Sequence, residues 1–225
     1  MNEIKIIAHI ENSFTEKFGV PRQSGLADIT SRIVFEPEYR SPDAFRGIEG
    51  YSHLWLLWIF SAAKMDGFVP TVRPPRLGGN KRMGVFATRS PFRPNSIGLS
   101  SVKLEKISFY EKDSPVLYVK GADLMNGTPI IDVKPYLSYT DSHPDALNGF
   151  ALDTTAPLLS VVFTEELRAV IGGEKSAELI QILAQDPRPQ YQDSPDRLYS
   201  MSYGGFDVDF SVSGDVLTVK NIRKK

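Results

Sequence analysis

The sequence predicts a mainly β fold, with an N-terminal β-barrel over residues 1–145 and a small α+β domain over residues 156–225. Three observations lead there. Short β-branched or alternating runs, punctuated by Gly, Pro and Asn, fill the first two thirds of the chain. Between Tyr139 and Pro157, "YTDSHPDALNGFALDTTAP" loses its periodicity and gains turn formers. Beyond it, "TEELRAVIGGEKSAELIQILAQ" changes to helical i, i+3, i+4 spacing.

Taken in order, "EIKIIAHI" and "ITSRIVFEP" are β-branched and bounded by turn residues. "SPDAFRGIEGYS" reads as one short helix capped by Ser41 or Asp43. "LWLLWIF" (Leu54 to Phe60) is apolar on both faces and reads as a central strand, with His53 beside it as a core histidine. "SIGLSSVKLEKISFY" alternates at Ile97 and Leu99, then at Val102 and Leu104 after a slip of one, as a bulge would produce. "SPVLYVKGADL" is a further strand, closed by the turn at Met125 to Pro129, and "IIDVKPYL" follows. In the second domain, Gly172 and Gly173 separate two helices, the first capped by Thr164 with Glu165 and Glu166 at its positive end. "FDVDFSVSGDVLTVKNI" is a hairpin about a Ser-Gly-Asp turn.

Composition removes several classes of function. With no cysteine, disulfides, thiolate catalysis and Cys-type metal sites are excluded. The three histidines (His9, His53, His143) lack ligand spacing, so no metal is expected. No run approaches a membrane span, and "MNEIKIIAHIENSF" has no secretory pattern, so the expected location is the cytoplasm. The net charge of −1 conceals a segregation. From Gly67 to Leu104 there are seven basic residues and no Asp or Glu, while the rest of the chain carries 19 basic against 27 acidic residues. Two readings fit that window, a solvated basic loop or a local anion site.

Neither G-x-G-x-x-G nor a Walker sequence occurs, and no G-x-S-x-G, so a Rossmann, P-loop or serine-hydrolase site has no support. The richest stretch is "MGVFATRSPFRPNSIGLSSVKL", where Pro91 and Pro94 fix the backbone around Arg89, Arg93 and Asn95. An arginine fork suits carboxylate or phosphate, and an Asn amide suits a base edge. The alternative is an arginine paired to a distant acid and an Asn that closes a turn. "VPRQSG" is a second Pro-fixed loop, exposing Arg22 and Gln23. Asp132, Lys134 and Tyr136 alternate and share one strand face. They form either a proton-handling site or an ion pair beside an amphipathic tyrosine.

"RPPRLGGNKRMGVFATRSPFRPNSIGLS", with "VPRQ" before it and "DLMNGTPIIDVKPY" after it, resembles the TsaA/TrmO family over essentially the whole chain. "LAQDPRPQY" resembles the motif of that family's C-terminal domain. The resemblance implies a TsaA-like β-barrel, not a Rossmann fold, that uses S-adenosylmethionine to methylate tRNA. The position implied is N6 of threonylcarbamoyladenosine beside the anticodon, and the assembly implied is a homodimer with the cofactor near its interface. By matching motifs, Pro21, Arg22, Gln23, Ser61, Ala62, Arg89, Leu99, Asp123, Leu124, Met125, Asn126, Gly127 and Thr128 would surround the cofactor. Arg73, Arg76, Lys81, Arg82, Arg93 and Arg188 would face the tRNA. Asp132 or Tyr136 would take the acceptor proton, with Lys134 and Asn95 completing the catalytic set.

Three positions depart from the family pattern: Ser96 in place of proline, expected to loosen its turn, Asn126 in place of an acid, and Ser61 in place of a histidine. Phe68, Phe86 and Phe92 could stack a splayed base, with Phe86 expected in the core instead. The competing expectations are a non-catalytic module that binds tRNA or a modified nucleoside, and a small-molecule methyltransferase.

Overall fold

Strand alternation builds the first unit of the computed structural model, which describes residues 3–63, 68–74, 77, 80–154, 158–188 and 197–225. Leaving β1 (Ala8–Glu11) and β2 (Thr30–Phe35), the chain enters β3 (His53–Ile59). There Leu54, Leu56 and Trp58 are buried, whereas Trp55, Leu57 and Ile59 on the opposite face are half-buried. A two-stranded ribbon, β4 (Thr71–Val72) with β5 (Met83–Gly84), precedes β6 (Ile97–Ser108), β7 (Val116–Lys120) and β8 (Pro129–Pro135). The six longer strands close an antiparallel barrel in the order β1-β2-β7-β6-β3-β8, around a core that includes Ile10, Ile33, Leu54, Leu56 and Ile130. As the run "LWLLWIF" predicts, β3 is central, paired to β6 and β8.

Four local expectations are corrected. In β6 the inward row is Gly98, Ser100 and Val102, while Leu99 is 55% exposed on the outer face. The bulge falls later, between Leu104 and Lys106. The inward row begins with glycine because the Trp58 ring lies over Gly98, where a Cβ would come within 2.2 Å of Trp58 Cε2. "SPDAFRGIEGYS" forms two 3-10 turns, Pro42–Phe45 and Ile48–Gly50, split by Gly47 at φ 88°. Ser41 stands at the first N-cap without a side-chain bond. His53 is not in the core: it lies on the outer face, its Nδ1 3.0 Å from Ser52 Oγ. "EIKIIAHI" contributes only the short β1.

After a single turn, α1 (Ser138–Asp141), the second unit begins at β9 (Ser160–Val162) and continues through α2 (Glu165–Ile171) and α3 (Gly173–Ala184). Thr164 caps α2 by accepting from the Leu167 N–H. β10 (Tyr199–Tyr203), β11 (Phe206–Ser213) and β12 (Val216–Lys224) complete a sheet ordered β10-β11-β12-β9, with β9 parallel to β12. The hairpin and both helices follow the sequence pattern. β9 and β10 do not announce themselves, since β9 is three residues long and serines interrupt β10.

The core of this second unit is not made by its own residues alone. Phe14, Ala27 and Ile29, from the long β1–β2 connection, are buried among Leu179, Leu183, Tyr203, Val208 and Phe210, with Phe18 and Val20 packed alongside. Phe14 meets Tyr203 edge to face at 5.6 Å. The Tyr203 hydroxyl donates to Glu178 at 2.7 Å, and burial pushes its phenol pKa upward.

Candidate active site

That anchored connection carries Pro21, Arg22 and Gln23 to one end of the barrel. Pro21 is buried and Arg22 half-buried. Arg22 donates through Nη2 to the main-chain oxygens of Asp186 (2.9 Å) and Arg188 (3.0 Å). Its fork is therefore directed at the second unit. Arg188 in turn grips Asp186 through Nε (2.8 Å) and Nη2 (2.9 Å), and its side chain is 11% exposed. Arg188 thereby braces Asp186, whose main-chain oxygen accepts from Arg22. The return of the connection crosses Gly121, where Gly25 N donates to Gly121 O at 2.9 Å. A Cβ on Gly121, already at φ +83°, would sit 3.2 Å from the Gly25 backbone.

Next along the loop, Gln23 Oε1 accepts from Arg89 Nη1 at 2.5 Å. Arg89 is exposed, and its charge also reaches Asp123. Asp123 accepts from Ser100 Oγ at 2.5 Å and from the Ser24 main chain, and Trp58 Nε1 donates to the same Ser100 oxygen at 3.0 Å. A hydrogen-bonded line thus runs from Trp58 in the barrel core through Ser100 and Asp123 to the Ser24 main chain. Ser24, Trp58 and Ser100 were not anticipated. The available signal was a polar residue, Ser100, on the inward row of an otherwise apolar strand.

Burial pushes the Asp123 carboxyl above the usual carboxylate range, against the Ser100 and main-chain hydrogen bonds and the nearby Arg89 charge, which pull it down. A carboxylate raised in the folded state stabilises the fold while protonated and loses that contribution as pH rises through its folded pKa. Asp123→Asn should therefore be more stable than the parent at about pH 7, with the advantage shrinking toward about pH 4. Urea unfolding at both values checks this; an advantage that grows on acidification would contradict it.

The remaining segment residues divide by exposure. Leu124 and Thr128 are buried, whereas Met125, Asn126 and Gly127 reach the surface. Asn126 Oδ1 accepts from Asn12 N at 3.0 Å, so the amide that replaces an acid fastens the turn to β1. Ser61 and Ala62 are exposed just after β3. Ser96 does not loosen its loop: its hydroxyl donates to Pro91 O at 2.9 Å, and its carbonyl accepts from Phe60 N. Arg93 holds the same loop from inside, donating to Thr88 O (2.7 Å) and Val85 O (3.3 Å), while Asn95 is exposed at its tip. Neither Arg89 nor Arg93 pairs with an acid among the described residues.

Asp132, Lys134 and Tyr136 lie elsewhere, on the outer face of β8 and its end. Asp132 pairs with Lys134 at 2.7 Å and faces Leu57, which faces Leu99 in turn. Tyr136 packs on Trp55 at 5.4 Å and His53 at 6.1 Å. Among the described residues no hydrogen bond or ion pair joins this trio to the Arg89–Gln23–Asp123 cluster. The trio instead shares an apolar outer surface with Leu57, Ile59, Ile97 and Leu99. Of the basic residues, Arg73, Lys81 and Arg82 are exposed around the ribbon, with Arg82 Nη1 on Thr71 Oγ1. Arg76 lies outside the described residues. Among the described residues no cluster of His, Asp and Glu could hold a metal, and no helix is long and apolar enough to cross a membrane.

A closed antiparallel barrel with an Arg–Gln–Asp cluster at one end and an appended α+β unit defines a class of two-unit barrel proteins. Within that class the chain belongs to the tRNA-methyltransferase O family, whose N-terminal domain matches residues 9–142 and whose C-terminal domain matches residues 156–225. It is 42% identical over 216 residues to the Escherichia coli K12 protein named tRNA (adenine(37)-N6)-methyltransferase, covering 92% of each chain. To the Eikenella corrodens protein of the same name it is 45% identical over 174 residues, 76% of this chain and 97% of that one. The crystal structure of TrmO from Pseudomonas aeruginosa superposes with a TM-score of 0.79 at 32% identity, covering 99% of both chains.

Proposed function

We propose that this protein is an S-adenosylmethionine-dependent tRNA methyltransferase acting on N6 of threonylcarbamoyladenosine beside the anticodon, in the cytoplasm and as a homodimer. The observation that carries the reading is the meeting of three separate segments, 21–23, 89 and 123–128, at one barrel end. They meet in a chain whose two units both match one methyltransferase family. The donor set fits the cofactor: an exposed guanidinium suits the amino-acid carboxylate, and the half-buried Asp123 with the Gln23 amide suits its amino and hydroxyl groups. When bound, S-adenosylmethionine supplies an electrophilic methyl on a sulfonium.

The protein's share of the chemistry is alignment, because in-line displacement rewards exact placement of nitrogen, methyl and sulfur. Arg89 and Gln23 would hold the cofactor's amino-acid end, and residues 123–128 would line the rest of its site. The acceptor nitrogen is urea-like and needs help in losing its proton. Asp132, held by Lys134, takes it, directly or by relay through the Tyr136 hydroxyl or a water. Because those residues share the outer face with Leu57 and Leu99, an isologous dimer closed through that apolar surface would place the trio of each protomer at the interface. The exposed Arg73, Lys81 and Arg82 neutralise tRNA phosphates.

The test is incubation with labelled S-adenosylmethionine and tRNA carrying threonylcarbamoyladenosine, followed by digestion and identification of the labelled nucleoside by mass. Label on that nucleoside is the expected result. Label on another acceptor would move the reading to a different methyltransferase, and cofactor binding with no transfer would favour a binding module. Asp132→Asn or Tyr136→Phe should lower turnover by roughly 100-fold with cofactor affinity intact. Unchanged turnover in both would remove the trio from the mechanism.

A further inference from the structure

Phe86 is 71% exposed and Phe68 55% exposed, contrary to the expectation that Phe86 joins the core; its neighbour Val85 takes the buried place at 1%. The two rings stand together, with centroids 6.2 Å apart and planes 25° from parallel. The Arg93 guanidinium carbon lies 5.8 Å from the Phe86 centroid. Phe92 is 38% exposed on the same proline-braced loop.

The support beneath Phe86 is firm. Phe86 sits in a 3-10 turn, Val85–Ala87, tied down by the buried Val85, by Val85 N donating to Pro70 O (2.9 Å), and by Thr88 Oγ1 on Val85 O (2.8 Å). The Arg93 bonds to Val85 O and Thr88 O clamp the turn from the other side, so the arginine fixes the turn and meets the ring at once. Leaving two phenyl rings in water forgoes their burial free energy, and none of the bonds that hold the Phe86 turn involves its ring.

We propose that Phe68, Phe86 and Arg93 form a stacking platform for an unpaired nucleobase of the RNA, one flanking the nucleotide that is modified. The occupant follows from the surroundings. The platform lies within a stretch, residues 67–104, that has seven basic residues and no acid, which disfavours an acidless apolar protein partner and favours a ligand with π-faces strung on phosphates. Aromatic and guanidinium planes are what single-stranded RNA bases stack upon. This assignment rests on the tRNA reading above and adds a residue set that the catalytic and cofactor sites do not include.

The experiment measures the Kd of a fluorescent anticodon stem-loop RNA by anisotropy across a salt series, for the parent, Phe86→Ala, Phe68→Ala, Phe86→Trp and Arg82→Gln. Each alanine variant should bind about 5- to 100-fold more weakly, with an unchanged salt slope, because a stacked base is lost and no phosphate contact is. Phe86→Trp should restore affinity, and Arg82→Gln should flatten the slope. Equal affinity of Phe86→Ala and the parent, in protein that methylates, overturns the platform alone. A parent that binds the RNA but transfers no methyl to tRNA carrying threonylcarbamoyladenosine sinks the methyltransferase reading and leaves the platform standing if the alanine variants lose affinity. A parent that binds no stem-loop overturns both.

Discussion

Arg89→Ala is expected to lower kcat/KM about 1,000-fold, with most of the loss in cofactor affinity. Two hydrogen bonds from one guanidinium to a carboxylate each contribute about 1.5–3 kcal/mol when charge-assisted. Truncation also releases Gln23 Oε1 and removes the positive charge beside Asp123. The remaining loop should stay in place, since Arg93 and Ser96 brace it independently of Arg89. Isothermal titration with S-adenosylmethionine separates these effects from folding. A variant that binds the cofactor within a few-fold of the parent, about 1 kcal/mol, would take Arg89 out of the pocket. Arg89→Lys should recover only part of the loss, because an ammonium cannot engage two oxygens in one plane.

Phe14→Ala should cost about 3–5 kcal/mol of stability, although Phe14 leaves the barrel immediately after β1. Its ring is 1% exposed, wedged against Tyr203 in the second unit, and its carbonyl accepts from Asn126 N at 2.8 Å. Cofactor affinity should fall with it, because the loop bearing Gln23 loses its anchor on one side and the Asn126 turn loses its neighbour on the other. Urea unfolding followed by cofactor titration under folded conditions measures both. Lost stability with full cofactor affinity would mean that the Arg22 bonds to Asp186 and Arg188 hold the loop unaided.

Much of this architecture was legible because it depends on local pattern. The barrel strands, the helical pair and the last hairpin each declare themselves through alternation, a Thr cap or a tight turn. Where pattern and outcome parted, a tertiary contact decided. Leu99 looks like core and faces out, because the inward positions beside it are needed by Gly98 under Trp58 and by Ser100 bonded to Asp123. Phe86 looks like core and is exposed, because Val85 fills the space first. Arg22 and Arg188 stand in motif segments, yet the structure directs both guanidiniums at a main-chain and carboxylate brace. The partners of Arg22 lie more than 150 residues away in sequence, beyond the reach of any short-range signal, whereas Arg188 closes on Asp186 only two residues before it.

The loan of Phe14, Ala27 and Ile29 to the second core also bears on the order in which a growing chain becomes competent. The barrel strands are complete once Pro135 has been made, but the walls that enclose the loop include Tyr203, Phe210 and Ile222. At a ribosomal pace of roughly 10 residues per second, those walls arrive on the order of ten seconds later. During that interval a closed barrel would exist with its ligand loop unmoored. A chain ending after Pro135 is therefore expected to bind S-adenosylmethionine more weakly than the full chain, because the loop that bears Gln23 lacks these walls.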